Sequence, residues 1–141
     1  MLLIGNGRVI TQDWTAPYLP DGGVVLEGET VREVGPLAAL RESYPEAEFL
    51  DAQGGVIMPG LINAHTHIYS GLARGLSIAG NNPTNFLEVL EGTWWNIDRR
   101  LTLDGTRASA YATVLECIRN GVTTIFDHHA SYGEIPGSLF A

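Results

Sequence analysis

Between residues 61 and 126 the chain holds two short β-type runs separated by one long helical pattern, and this arrangement restricts its fold more than any other feature. Leu61-Ile62-Asn63-Ala64 is an apolar run with the length of a buried strand, and Val122-Thr123-Thr124-Ile125-Phe126 is rich in β-branched and aromatic residues. Between them Thr102 stands as an N-cap with Asp104 in the first turn. Leu103, Tyr111, Leu115 and Ile118 recur near helical spacing, and Asn120-Gly121 supplies the stop. If the two strands run parallel, the helix belongs to their right-handed crossover and both carboxyl ends open on one side. That side is where α/β sheets and barrels gather ligand and catalytic groups. All four histidines, His65, His67, His128 and His129, fall there.

Upstream the pattern is different. Leu2-Leu3-Ile4 and Arg8-Val9-Ile10-Thr11 flank Gly5-Asn6-Gly7 and predict a hairpin. Residues 23–27 and 31–34 predict a second one across Gly28-Glu29-Thr30, where glycine supplies the positive φ of a tight turn. Pro36 starts a helix over 37–44, and residues 48–51 and 56–58 are extended again. A small sheet domain over 1–58 therefore precedes an α/β portion over 59–141, with the boundary at Pro59-Gly60. Within the second portion, glycine, asparagine and proline mark 71–83 as a long loop, and 85–95 forms a short helix.

Charge and cysteine usage narrow the function classes. Acidic residues outnumber basic ones 16 to 8, every basic residue is arginine, and the net charge is −8. A nucleic-acid or anionic-membrane surface has no electrostatic support in such a chain. There is no apolar run of membrane-spanning length, and Met1-Leu2-Leu3-Ile4 lacks the features of a signal peptide. Cys117, the one cysteine, can form no internal disulfide, and its apolar helical setting predicts a buried, inert thiol. A cytoplasmic location is the expectation.

His65-Thr66-His67 is the strongest chemical signal. Residues two apart on a strand project to one face, so both imidazoles can address one ion while Thr66 turns away. Neutral imidazole suits zinc, iron or nickel; zinc is the default and iron the alternative. The competing reading is a pair of histidines hydrogen-bonded to backbone at a strand end. Arg74 lies in the following glycine-rich loop, where a guanidinium can hold a substrate carboxylate or carbonyl bidentately or pair structurally with Glu88. Trp94 and Trp95 suit stacking on a flat ring or simple packing, and Asn63 either orients the first ligand or caps the turn. Gly5-Asn6-Gly7 lacks a third glycine at the dinucleotide-binding offset, where Ile10 stands, so nucleotide-cofactor chemistry is not indicated.

The run Val56-Ile57-Met58-Pro59-Gly60-Leu61-Ile62-Asn63-Ala64-His65-Thr66-His67 resembles the amidohydrolase superfamily. Gly71-Leu72-Ala73-Arg74-Gly75, Trp94-Trp95, Leu101-Thr102 and Asn120-Gly121-Val122-Thr123-Thr124 are similar to its aminohydrolase and chlorohydrolase branch. The ending Asp127-His128-His129-Ala130-Ser131 is most similar to the SsnA group. The resemblance implies an α/β fold in which a small β-sandwich, in part built from the amino terminus, precedes a metal-dependent (β/α)8 barrel. It implies metal ligation by His65 and His67, and a position for His128 and His129 over the substrate pocket. Strand alternation allows at most one of that second pair to face inward, and a surface loop is the competing placement.

A complete barrel needs about 250 residues, whereas the chain has 141. The expectation is the amino-terminal portion of such an enzyme: the sandwich part plus the first strand-helix-strand unit of an incomplete barrel, inactive alone. The catalytic acid and remaining ligands are expected beyond Ala141. The intact protein, a homo-oligomer being open to it, is expected to deaminate a small nitrogen heterocycle through a divalent metal. Cyclic amide hydrolysis and dechlorination are the alternatives on the same scaffold, and a non-catalytic metal- or partner-binding module is the alternative of a different class.

Overall fold

The computed structural model describes residues 1–141, which fall into two compact units, Met1–Pro59 and Gly60–Ala141. In the first unit β1 (Leu2–Ile10) is the central strand. It pairs antiparallel with β2 (Tyr18–Glu27), which pairs antiparallel with β3 (Thr30–Pro36) across Gly28 at φ 60°. The other edge of β1 pairs in parallel with β4 (Glu48–Asp51) and then with β5 (Val56–Ile57). Of the expected sandwich, these residues form one five-stranded mixed sheet. Helix α1 (Leu37–Ser43) follows Pro36 and buries Leu40 against Leu3 and Val25 of the sheet. Burial alternates along β1, where Leu3, a member of that core, and Val9 are both 2% exposed.

The hairpin expected at Gly5-Asn6-Gly7 does not form; β1 runs through it. Asn6 takes φ 57° and the register with β2 shifts between Ile4 and Gly7, so the segment is a bulge within a strand. The Asn6 amide donates to Asp51 Oδ1 at 2.6 Å, tying the bulge to the end of β4. A Cβ on Gly5 would stand 2.3 Å from Leu37 Cδ1. Glycine serves close approach here, a second use that composition cannot separate from turning.

In the second unit β6 (Leu61–Thr66) and β7 (Val122–Asp127) pair in parallel, with Leu61 opposite Val122 and Thr66 opposite Asp127. Helix α4 (Leu103–Arg119) precedes β7. Thr102 Oγ accepts from the Gly105 N–H at 3.1 Å, and Gly121 at φ 73° ends the turn. The loop expected from residue 71 begins instead inside a 3₁₀ helix, Ile68–Ala73. The short helix expected over 85–95 extends as α2 (Phe86–Val89), a π-helical turn (Leu90–Trp94) and α3 (Trp95–Asp98), capped by the Asn85 side chain.

Full burial, expected for residues 61–64, is not found. Leu61 is 48% and Ile62 64% exposed, because a two-stranded sheet leaves each strand one unpaired edge and uncovered face. No helix is long and apolar enough to cross a membrane.

Candidate metal centre

His65 lies in the last turn of the β6 pleat, and His67 is the first residue after the strand, at φ −127° and ψ 75°. Their ring centroids are 5.4 Å apart. The parallel register continues past the strand ends, since the His128 N–H donates to the Thr66 carbonyl at 2.9 Å. This brings the His128 ring to 4.6 Å from His65 and 5.8 Å from His67. Three imidazoles thus share one rim of the strand pair.

The most informative contact is between His67 Nδ1 and the His128 carbonyl oxygen, at 2.7 Å. A carbonyl can only accept, so Nδ1 carries a proton, and in the neutral ring Nε2 keeps a free lone pair. A second-sphere acceptor of this kind orients an imidazole that ligates a metal through its other nitrogen. No group of three or more His, Cys, Asp or Glu side chains has metal-holding geometry. The donor set therefore fits a shared first-row divalent cation through two imidazoles, with further ligands needed for a closed sphere.

Strand alternation left open which of His128 and His129 faces inward, and the structure separates them. His129 turns from the cluster and donates from Nδ1 to Asp127 Oδ2 at 3.2 Å, while its Nε2 lies 2.8 Å from Ser131 Oγ. Its ring packs 4.8 Å from that of Tyr69. Alternation along the chain explains this, since 127 and 129 share one side and 128 takes the other.

Arg74 does not pair with Glu88. Glu88 accepts from the Thr84 N–H and hydroxyl at 2.7 and 3.0 Å, and the exposed Arg74 lines a cavity of about 460 Å³ with Thr66, His67, Thr93 and Trp94. Trp95 lies apart, beside Arg99 and Tyr132. Asn63 neither meets a ligand ring nor caps a turn; its amide points at the buried Cys117 Sγ, 4.0 Å away.

Sequence reasoning missed three residues. Tyr69 is 3% exposed, stands 5.8 Å from the His67 ring, and donates its hydroxyl to Asp98 Oδ1 at 3.1 Å. Burial pushes the Tyr69 hydroxyl well above its usual range, and the Asp98 charge adds to this. Burial also raises the Asp98 carboxyl, against the opposing pull of the Tyr69 hydroxyl and of the His67 and His129 imidazoles. Asp127 Oδ1 accepts from the Ile68 N–H at 2.9 Å. Asp127 was detectable, being two residues before His129 at a strand end, but nothing in the Trp94-Trp95 neighbourhood singled out Asp98.

The 3₁₀ helix packs on α4, and Gly71 sits at a close approach between them. A Cβ there would stand 2.1 Å from Thr113 Oγ1 and 2.9 Å from the Ser109 carbonyl. Gly71→Ala is expected to cost about 1–3 kcal/mol through overpacking, read as a lowered urea midpoint with unchanged m.

Comparison with known proteins places these features. Residues 22–47 match the imidazolonepropionase-like composite domain of bacteria, and residues 56–138 match the amidohydrolase family. The chain is 32% identical over 134 residues to a 5'-deoxyadenosine deaminase of Methanococcoides burtonii, covering 95% of the chain and 29% of the relative. It is 40% identical over 140 residues to a 5-methylthioadenosine/S-adenosylhomocysteine deaminase of Haloarcula marismortui, covering 98% and 30%. The chain thus spans less than a third of the length of these relatives. Among solved structures it resembles the E241Q mutant of atrazine chlorohydrolase TrzN from Arthrobacter aurescens TC1, complexed with zinc and atraton. The TM-score there is 0.75 at 29% identity, over 99% of the chain and 32% of that protein. With the family match spanning more than half of its residues, and with a mixed sheet followed by a parallel strand-helix-strand unit bearing the histidine pair, the chain belongs to the amidohydrolase family.

Proposed function

We propose that the full-length protein is a metal-dependent hydrolase that deaminates an adenosine-like nitrogen heterocycle, with His65 and His67 as two ligands of a divalent metal, zinc in the first instance. The observation that carries the ligand assignment is the His67 Nδ1–H bond to the His128 carbonyl, which leaves Nε2 of the neutral ring available to a cation. The substrate class is supported by the deaminases similar to the chain over nearly all of its residues. Zinc is supported by the metal in the similar TrzN structure.

When bound, such a metal supplies Lewis acidity that lets water ionise near neutral pH. The residues of this chain hold and orient. His128 fixes the His67 ring through its carbonyl and turns its own ring toward the pair, in position to contact substrate. Arg74 presents a guanidinium in the His67 cavity, suited to a substrate carboxylate or carbonyl, and Trp94 offers a flat wall for a ring. Proton delivery to the departing ammonia is assigned to a residue outside this chain. His129, whose ring nitrogens face Asp127 Oδ2 and Ser131 Oγ, is assigned no substrate contact.

Hydrolytic dechlorination is the second reading, favoured by the likeness to a chlorohydrolase. A panel of 5'-deoxyadenosine, S-adenosylhomocysteine and atrazine, scored for ammonia and chloride release, separates the two. Ammonia release abolished by a chelator and restored by zinc is expected. Chloride release alone selects the second reading, and ammonia release indifferent to chelation overturns the metal mechanism.

A further inference from the structure

The orientation of His67 depends on a main-chain carbonyl, so whatever holds the backbone at 127–129 holds the ligand. Both carboxylate oxygens of Asp127 are used, and by different segments. Oδ1 accepts from the N–H of Ile68, the residue after His67, and Oδ2 accepts from the ring of His129, the residue after His128. The His128 N–H bond to Thr66 closes the same rim from the other side. The side chains of His129 and Asp127 are 13% and 21% exposed. The buried Tyr69 ring fills the space between His67 and His129.

We propose that Asp127 and His129 form a latch across the ends of β6 and β7 that holds the His128 carbonyl against His67, making His129 a positioning residue for the ligand. This rests on the reading of His67 as a metal ligand. The order Asp127, His129, Ser131 also matches that of an acid-base-nucleophile triad. Ser131 is 6% exposed, whereas a nucleophile must meet its substrate, so the latch accounts better for the arrangement.

Asparagine and glutamine at 129 separate the two halves of the imidazole. An Asn amide sits near the place of Nδ1 and can donate to Asp127; a Gln amide sits near Nε2 and leaves a methylene where the donor stood. Asp127→Asn keeps one acceptor oxygen for two donors. In the full-length protein, zinc dissociation constants from chelator competition are expected to rise about 10-fold or more in His129→Gln and Asp127→Asn and to stay within about threefold in His129→Asn. A purely structural role would lower stability while leaving the zinc affinity of the folded fraction unchanged. Nitrogen-15 shifts of labelled histidine in the metal-free protein supply a second readout, expected to show His67 protonated on Nδ1 in wild type and His129→Asn and mixed in the other two. Equal zinc affinity in the Asn and Gln variants overturns the latch. So does a wild-type His67 protonated on Nε2, a result that needs no variant to fold. Zinc retained by His67→Ala would overturn the ligand reading instead, leaving the tautomer measurement to judge the latch.

Discussion

His67→Ala in the full-length protein is expected to lose tightly bound metal, with affinity falling by more than about 100-fold, since outer-sphere partners alone account for about 10–100-fold. Elemental analysis after desalting measures this directly. His65→Ala is expected to behave the same way, because both rings stand on one rim at 5.4 Å separation. His128→Ala is expected to retain metal while raising KM. Its carbonyl, which orients His67, survives the substitution, and only its ring is removed. Metal content that is unchanged in His65→Ala and His67→Ala would overturn the centre; metal lost in His128→Ala would make His128 a ligand.

Leu40→Ala carries the largest expected stability effect. Leu40 is 1% exposed and, with Leu3 and Val25, forms the buried cluster of the first unit, flanked by Leu37, Tyr44 and Ala47. Truncation is expected to cost about 2–5 kcal/mol, a large share of the roughly 5–15 kcal/mol of an ordinary domain. Equilibrium urea unfolding should show a lowered midpoint. A change under about 1 kcal/mol would mean that helix α1 collapses onto the sheet to fill the space.

What could be read from residues alone follows from where each signal resides. Helix α4 was legible because its cap, its stop and its spacing are all local: Thr102, Asn120-Gly121 and Leu103 through Ile118. The shared rim of the histidines was legible because parallel pairing places strand carboxyl ends together. Gly5-Asn6-Gly7 was misread because a bulge and a turn use the same residues, and the deciding atom, Leu37 Cδ1, lies 32 positions away in sequence (37 − 5). The different fates of His128 and His129 were half legible. Alternation said that one must turn aside, but not that Asp127 and Ser131 would receive it. Asp98 was invisible, because its partner Tyr69 belongs to another element.

The acceptor that orients His67 belongs to the peptide unit, which every amino acid carries. Replacing the side chain at 128 therefore leaves the acceptor for His67 in place, so a change of ring at that position need not disturb the neighbouring imidazole.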